Sequence, residues 1–173
     1  MAEQYLPSSE FLNYVLDDEI VFDDSTFGQK NLHRLLAMVD DSDRSNRDWA
    51  AFLIAGLPFD SPEIRQAIVR AADDDDADTR DEALVGLARR DRVVAIERLL
   101  PLLTEDIGIV LLEAATILGD QSLVPALKEI EGREGGSEAL LNQLRRALAA
   151  CEAGVGDDVT GDELVSLHRL SNA

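Results

Sequence analysis

The sequence predicts an all-α chain built as a solenoid of about four stacked helical hairpins with a cap at each end. Three observations carry this. Apolar residues make up 46% of the 173, yet aromatics are only 5%, a balance that favours packed helices over a sandwich or barrel. Apolar residues recur at helical spacing from Gln29 to Glu152. Three ten-residue segments also superpose without gaps: RDWAAFLIAG (47–56), RDEALVGLAR (80–89) and LLEAATILGD (111–120). Ala50, Ala83 and Ala114 correspond, at spacings of 33 and then 31. A period in this range marks helical repeats, whose apolar sides are buried only by stacking.

The predicted elements follow in order. Residues 1–28 hold seven acids, no Lys or Arg, and five of the eight aromatics. Ser8 or Ser9 caps a short helix through Leu16, offering Phe11, Leu12, Val15 and Leu16 for burial. This segment is either an end cap over the first repeat or an acidic, aromatic arm for a partner. From Gln29, Leu32, Leu35, Leu36 and Val39 share one helical face. Ser45 with Asp48 reads as a capping box for the next helix, which Gly56 and Pro58 end. Ser61 caps a helix with Pro62 at its first position. Thr79 and Glu82 form a second capping box, for the helix ending at Arg90. Val93 to Leu103 form a helix kinked by Pro101. Asp106 starts a helix that Gly119 ends as C-cap. Ser122 caps the next, with Pro125 in its first turn, and GREGG (132–136) is a flexible connection. Ser137 opens the last full helix, with Leu140, Leu141, Leu144, Leu148 and Cys151 on one stripe. Residues 153–163 read as a linker. Leu164, Leu167 and Leu170 mark a short C-terminal helix that either folds back as a cap or is disordered. The domain organisation expected is therefore 1–28 cap, 29–152 repeats, and 153–173 linker and tail.

The stretch D-x-D-x-x-T-R-D-E-A-L-V-G-L-A-R-R (74–90) resembles the second half of a HEAT repeat, in the short form found in bacterial proteins related to bilin lyases. The resemblance covers about residues 29–131. It implies a right-handed α-solenoid and a scaffold for binding proteins. It implies that Asp76 or Asp78 matches the family's loop acid and that Arg80 and Arg47 match its helix-start arginine, forming a ladder between repeats. Val110 stands near the equivalent place in the third repeat, so the ladder lapses there.

Charge narrows the partners. With 35 Asp plus Glu against 16 Lys plus Arg, the net charge is −19. Such a chain repels phosphate backbones and anionic lipid, and attracts a basic protein. The N-terminus lacks the basic and apolar regions of a signal peptide, and no apolar run approaches the roughly 18 residues of a membrane span, so a cytoplasmic location is expected. The single Cys151 reads as a small buried hydrophobe.

Chemistry is sparse. His33 and His168 lack a second ligand at metal spacing, and His33 reads as a surface residue of its helix. Asp74, Asp76 and Asp78 fall at calcium-loop positions, but Thr79 stands where the loop needs Gly and Val85 where it needs Glu. No phosphate loop, dinucleotide fingerprint or nucleophile elbow occurs. No catalytic residue, cofactor or metal is assigned. The second helices of the hairpins are expected to line a concave groove. Aligned rows place Asp48 with Asp81, Trp49 with Glu82 and Glu113, and Phe52 with Val85; Arg89 closes the second copy. These eight residues form the candidate partner surface, Trp49 and Phe52 acting as anchors unless Trp49 packs under the N-terminal cap. The function expected is non-catalytic binding of a basic protein by a chain monomeric when free, in concrete form an acidic immunity protein or inhibitor occupying a toxin or nuclease. The alternatives are a bilin-lyase-like enzyme or a structural adaptor.

Overall fold

A computed structural model describes residues 5–103, 107–132 and 136–157. Nine α-helices and two short 3₁₀ turns occur among them, with no strand. After α1 (Glu10–Leu16), the helices follow as pairs: α2 (Thr26–Ala37) with α3 (Arg44–Ala55), α4 (Pro62–Ala71) with α5 (Ala77–Arg90), α6 (Arg92–Leu102) with α7 (Ile109–Leu118), and α8 (Val124–Glu131) with α9 (Glu138–Ala153). This is the helical-hairpin solenoid class that the repeat period predicts. The chain divides into two compact units, 1–86 and 87–173, with the boundary inside α5.

In the first unit, α3 is the inner helix. Trp49, Ala50, Ala51, Ile54 and Ala55 are all buried, and Leu35, Leu36 and Val39 from α2 and its following turn join them. Helix α4 adds Ile64, Ala67, Ile68 and Ala71, spaced as one stripe. Gly86 of α5 sits where a Cβ would come within 3.1 Å of Ile68 Cδ1 and 3.3 Å of Ala55 Cβ, so a residue without a side chain sets the helix spacing there. α2 starts at Thr26, three residues before Gln29, because Ser25 Oγ accepts from the Gly28 amide at 3.0 Å.

In the second unit, α7 is apolar on nearly every side and buried from Val110 to Thr116 and again at Leu118, as a helix enclosed by others should be. It packs against α9, which contributes Leu144, Ala147, Leu148 and Cys151. Leu140 and Leu141, predicted on that stripe, are only part-buried. Cys151 is buried as expected, and its thiol donates to the Ala115 carbonyl at 3.4 Å. Gln143 Nε2 donates to Thr116 Oγ1, which in turn donates to the Leu112 carbonyl, so two buried polar side chains satisfy each other. Pro101 falls in the last turn of α6, which ends one residue later. Gly119 takes φ +51 as the C-cap of α7. The predicted linker is in fact ordered at its start. Gly154 (φ +68) ends α9 with the Val155 amide on the Ala150 carbonyl, and the Asp157 amide reaches the Thr116 carbonyl at 3.0 Å. The predicted start at Asp106, the centre of GREGG, and the C-terminal helix with His168 lie outside the described residues.

Three predicted caps are corrected in the same way. Ser45, Thr79 and Ser122 do not cap; the acid two or three residues earlier does. Asp43 Oδ1 accepts the Ser45 amide and hydroxyl at 2.9 and 2.8 Å. Asp76 Oδ2 accepts the Thr79 amide and hydroxyl, both at 3.1 Å. Asp120 Oδ1 accepts those of Ser122 at 2.9 and 2.6 Å, at the start of the 3₁₀ turn Gln121–Leu123 that leads into α8, which itself has no side-chain cap. A carboxylate is the stronger acceptor and carries the charge that a helix N-terminus favours. The hydroxyl is left to donate to it. Ser61, with no acid two or three residues before it, caps as predicted, and so does Ser137.

Candidate functional site

The site is built from two copies of one loop. Asp41 and Asp74, 33 residues apart, each accept the backbone amide two residues on, Asp43 or Asp76, at 2.8 Å. Each loop's carbonyl then receives the first-turn arginine of its own helix: Arg47 Nη1 on Asp41 O at 3.2 Å, Arg80 Nη1 on Asp74 O at 2.9 Å. Arg47 also reaches across to the second loop. Its Nε and Nη2 meet Asp74 Oδ2 and Oδ1 at 2.7 and 3.1 Å. This fork is the inter-repeat rung, so Asp74 is the ladder acid, not Asp76 or Asp78. Burial pushes the Asp74 carboxyl up, but Arg47 and the Asp76 amide outweigh it and hold it below the ordinary range. Asp76 and Asp78 are met instead by Arg44, from the turn before Arg47. All three carboxylates of the calcium-like spacing are therefore committed to arginines.

Above this lattice lies the N-terminal segment. Ser9's amide and Ser8's hydroxyl meet the Asn46 side chain at 2.8 and 3.2 Å, and Ser8 also donates to Asp43 at 2.6 Å. Tyr5 stacks on Trp49, with ring centroids 6.1 Å apart, and its hydroxyl donates to Asp48 Oδ2 at 2.8 Å. Burial, and then the bond to Asp48, raise the Tyr5 phenol above its ordinary value. Trp49 also meets Phe52 edge-on at 5.6 Å.

The eight residues expected to line a groove are thus placed differently. Trp49 and Asp48 are 0% exposed, and Phe52, Val85, Glu82 and Glu113 are buried as well. Trp49 is a core residue roofed by Tyr5, and Asp48 is the acceptor that fastens this roof. Arg89 faces Glu113 at 3.9 Å, both largely covered. Of the eight, only Asp81 and Arg89 keep partial exposure. Asp81 stands on α5 with Asp78 and Glu82 near; burial first, then those two charges, push its carboxyl up to about 7. Sequence reasoning missed Tyr5 and Arg44. The signal available for Arg44 was its place three residues before Arg47, one helical turn away.

The family model of HEAT repeats matches residues 32–119, just over half of the chain. The chain belongs to the HEAT-repeat family. Among known proteins it resembles YibA of Escherichia coli, in strains K12 and O157:H7, with 33% identity over 94 residues. That match covers 54% of this chain and 34% of the YibA sequences, so the chain spans about a third of the length of these relatives. The X-ray structure of E. coli YibA superposes with a TM-score of 0.55 at 24% identity, over 79% of this chain and 57% of that one. At that identity the likeness is one of fold. No helix among the described residues is long and apolar enough to cross a membrane.

Proposed function

We propose that this HEAT-repeat chain is a non-catalytic module that binds another protein, one presenting a basic face. Membership of a repeat family supports a binding module in general. The observation that carries the basic partner is charge: a net −19, with the loop ahead of α5 presenting the Asp75 side chain at 95% exposure beside the part-exposed Asp78 and Asp81. The charge disfavours nucleic acid and anionic membrane for the same reason that it favours a basic protein. An acidic inhibitor or immunity protein occupying a basic toxin or nuclease is the concrete form we favour. Such a role needs no cofactor and suits a chain that is monomeric until it meets its target in the cytoplasm.

The test begins with the tagged full chain as bait in native cells. The captured partner is then purified and titrated calorimetrically at low and high salt, with wild type and with Asp75→Lys and Asp81→Lys. Affinity is expected to fall with salt, and by about tenfold on charge reversal. A partner with an acidic contact face, or a Kd unmoved by both substitutions and by salt, would sink the proposal.

A further inference from the structure

The first unit contains a cavity of about 560 Å³ between the segment leading into α2, α2 itself and the turn joining α3 to α4. Its size falls in the range of roughly 300–1,000 Å³ typical of built ligand sites. Leu32 and Leu36 give it apolar walls, and the rings of Phe22 and Phe59 line it as well. Asp23, Asp24, Asp60 and Glu63 bring four carboxylates to the same space. None of the eleven lining residues is Lys or Arg. Three of the acids have structural duties: Glu63 is held at the start of α4 by its own backbone amide and the Ser61 hydroxyl. Asp23 accepts from Ser25 at the start of α2, and Asp60 meets Arg65 at 2.6 Å. Asp24 and Glu63 have no ion pair with Lys or Arg among the described residues.

We propose that this cavity receives an arginine side chain, with its flanking backbone, from a basic protein partner. A planar guanidinium suits the combination present: it lies against aromatic rings and donates to carboxylates in the same plane. Apolar walls take up its methylene stem. The volume exceeds a single side chain, which is why neighbouring residues of the partner enter too. Charge complementarity disfavours an anionic ligand, because four carboxylates line it with neither Lys nor Arg among the lining residues. This inference rests on the protein-binding reading above, but its test needs no natural partner.

The probe is the capped tripeptide Ac-Gly-Arg-Gly-NH₂, titrated into the full chain while amide NMR shifts are followed. The neutral isostere, with citrulline in place of arginine, and the lysine peptide serve as comparisons. Saturable shifts at Phe59, Glu63 and His33 are expected, in the order arginine, lysine, citrulline. Asp24→Asn and Glu63→Gln should each weaken arginine-peptide binding by about threefold, and Phe59→Ala by about as much or more. Glu97→Gln removes the same charge outside the cavity, on α6, and should change affinity by less than about 1.5-fold. Absence of saturable shifts overturns the proposal. So does equal binding of the citrulline peptide, or an effect of Glu97→Gln as large as that of Asp24→Asn. Any of these results leaves the pull-down outcome unaffected. A partner recovered there whose affinity is unchanged by Glu63→Gln likewise overturns only the cavity.

Discussion

The Arg47 rung sets a measurable stability difference. Arg47→Ala removes two charged bonds to Asp74, at 2.7 and 3.1 Å, a third to the Asp41 carbonyl at 3.2 Å, and a longer, solvent-exposed contact with Asp75 at 3.4 Å. Arg47 is only 17% exposed and Asp74 only 10%, so water replaces the lost bonds poorly. A bidentate charged pair contributes on the order of 2 kcal/mol, and the carbonyl bond on the order of 0.5. Alanine should therefore cost about 2–3 kcal/mol, which is a Tm lower by about 5–10 °C for a chain of this size. Arg47→Lys keeps the charge but loses the fork, and should cost about half as much. Urea unfolding monitored by circular dichroism measures both, with an unchanged m-value as the condition for comparing midpoints. A double-mutant cycle with Asp74→Ala should give a coupling of at least about 1 kcal/mol. If Arg47→Ala lies within about 0.5 kcal/mol of wild type, or if lysine replaces arginine without loss, the rung is not what joins these repeats.

Three further outcomes are expected. Trp49 is the sole tryptophan, so Tyr5→Ala should red-shift its emission and raise acrylamide quenching by about twofold or more as the roof is lost, whereas Tyr5→Phe should keep the stack and cost only about 1 kcal/mol; equal quenching of wild type and Tyr5→Ala would show that the segment does not cover Trp49. Asp81 has its folded-state pKa raised to about 7, so the native state holds a proton that the unfolded chain releases near its ordinary value; this contribution is whole below about pH 4 and is lost as pH rises through about 7. Asp81→Asn should therefore flatten the fall in stability between those limits and stabilise the chain at pH 8 by about 1 kcal/mol, after allowance for the solvent that reaches it, and a denaturation series over pH 4–8 that is identical for both proteins contradicts this. Gly119→Ala places a Cβ at φ +51, where it would overlap the backbone of Val155 and Gly156, and should cost at least about 2 kcal/mol; a loss below about 0.5 would mean that residues 154–157 do not cross the end of α7.

The repeat was legible because it is written twice over. Ala50, Ala83 and Ala114 align in sequence and are each 0% exposed, and Gly86 is tight against Ile68 and Ala55 as close helix approach requires. Small residues at a fixed period report packing directly, since any larger side chain would push the helices apart. Helix starts were less legible for a definite reason. Aspartate, serine and threonine all cap helices, and where two stand within three residues only the folded geometry decides which carboxylate or hydroxyl meets the free amides. The acid prevailed at Asp43, Asp76 and Asp120, and its period of 33 between the first two was available as a signal alongside the alanines.

The groove failed for the opposite reason. A helix in a stack has neighbours on more than one side, and the rows opposite the alanines are buried as thoroughly as the alanines themselves when a further segment lies over them. Trp49 and Asp48 illustrate this: the same segment that brings Tyr5 across them makes the largest side chain of α3 into core and its buried acid into a hydrogen-bond acceptor. Sequence spacing specifies which residues share a face of one helix, but not what covers that face, because Tyr5 and Asp48 are 43 residues apart. No acid of α3 or α5 is more than part-exposed, whereas Asp24, Glu63 and Asp75 in loops and first turns are exposed. A partner that recognises the first unit by charge meets those turns at the ends of the helices, and not the faces of α3 and α5 where the aligned rows placed it.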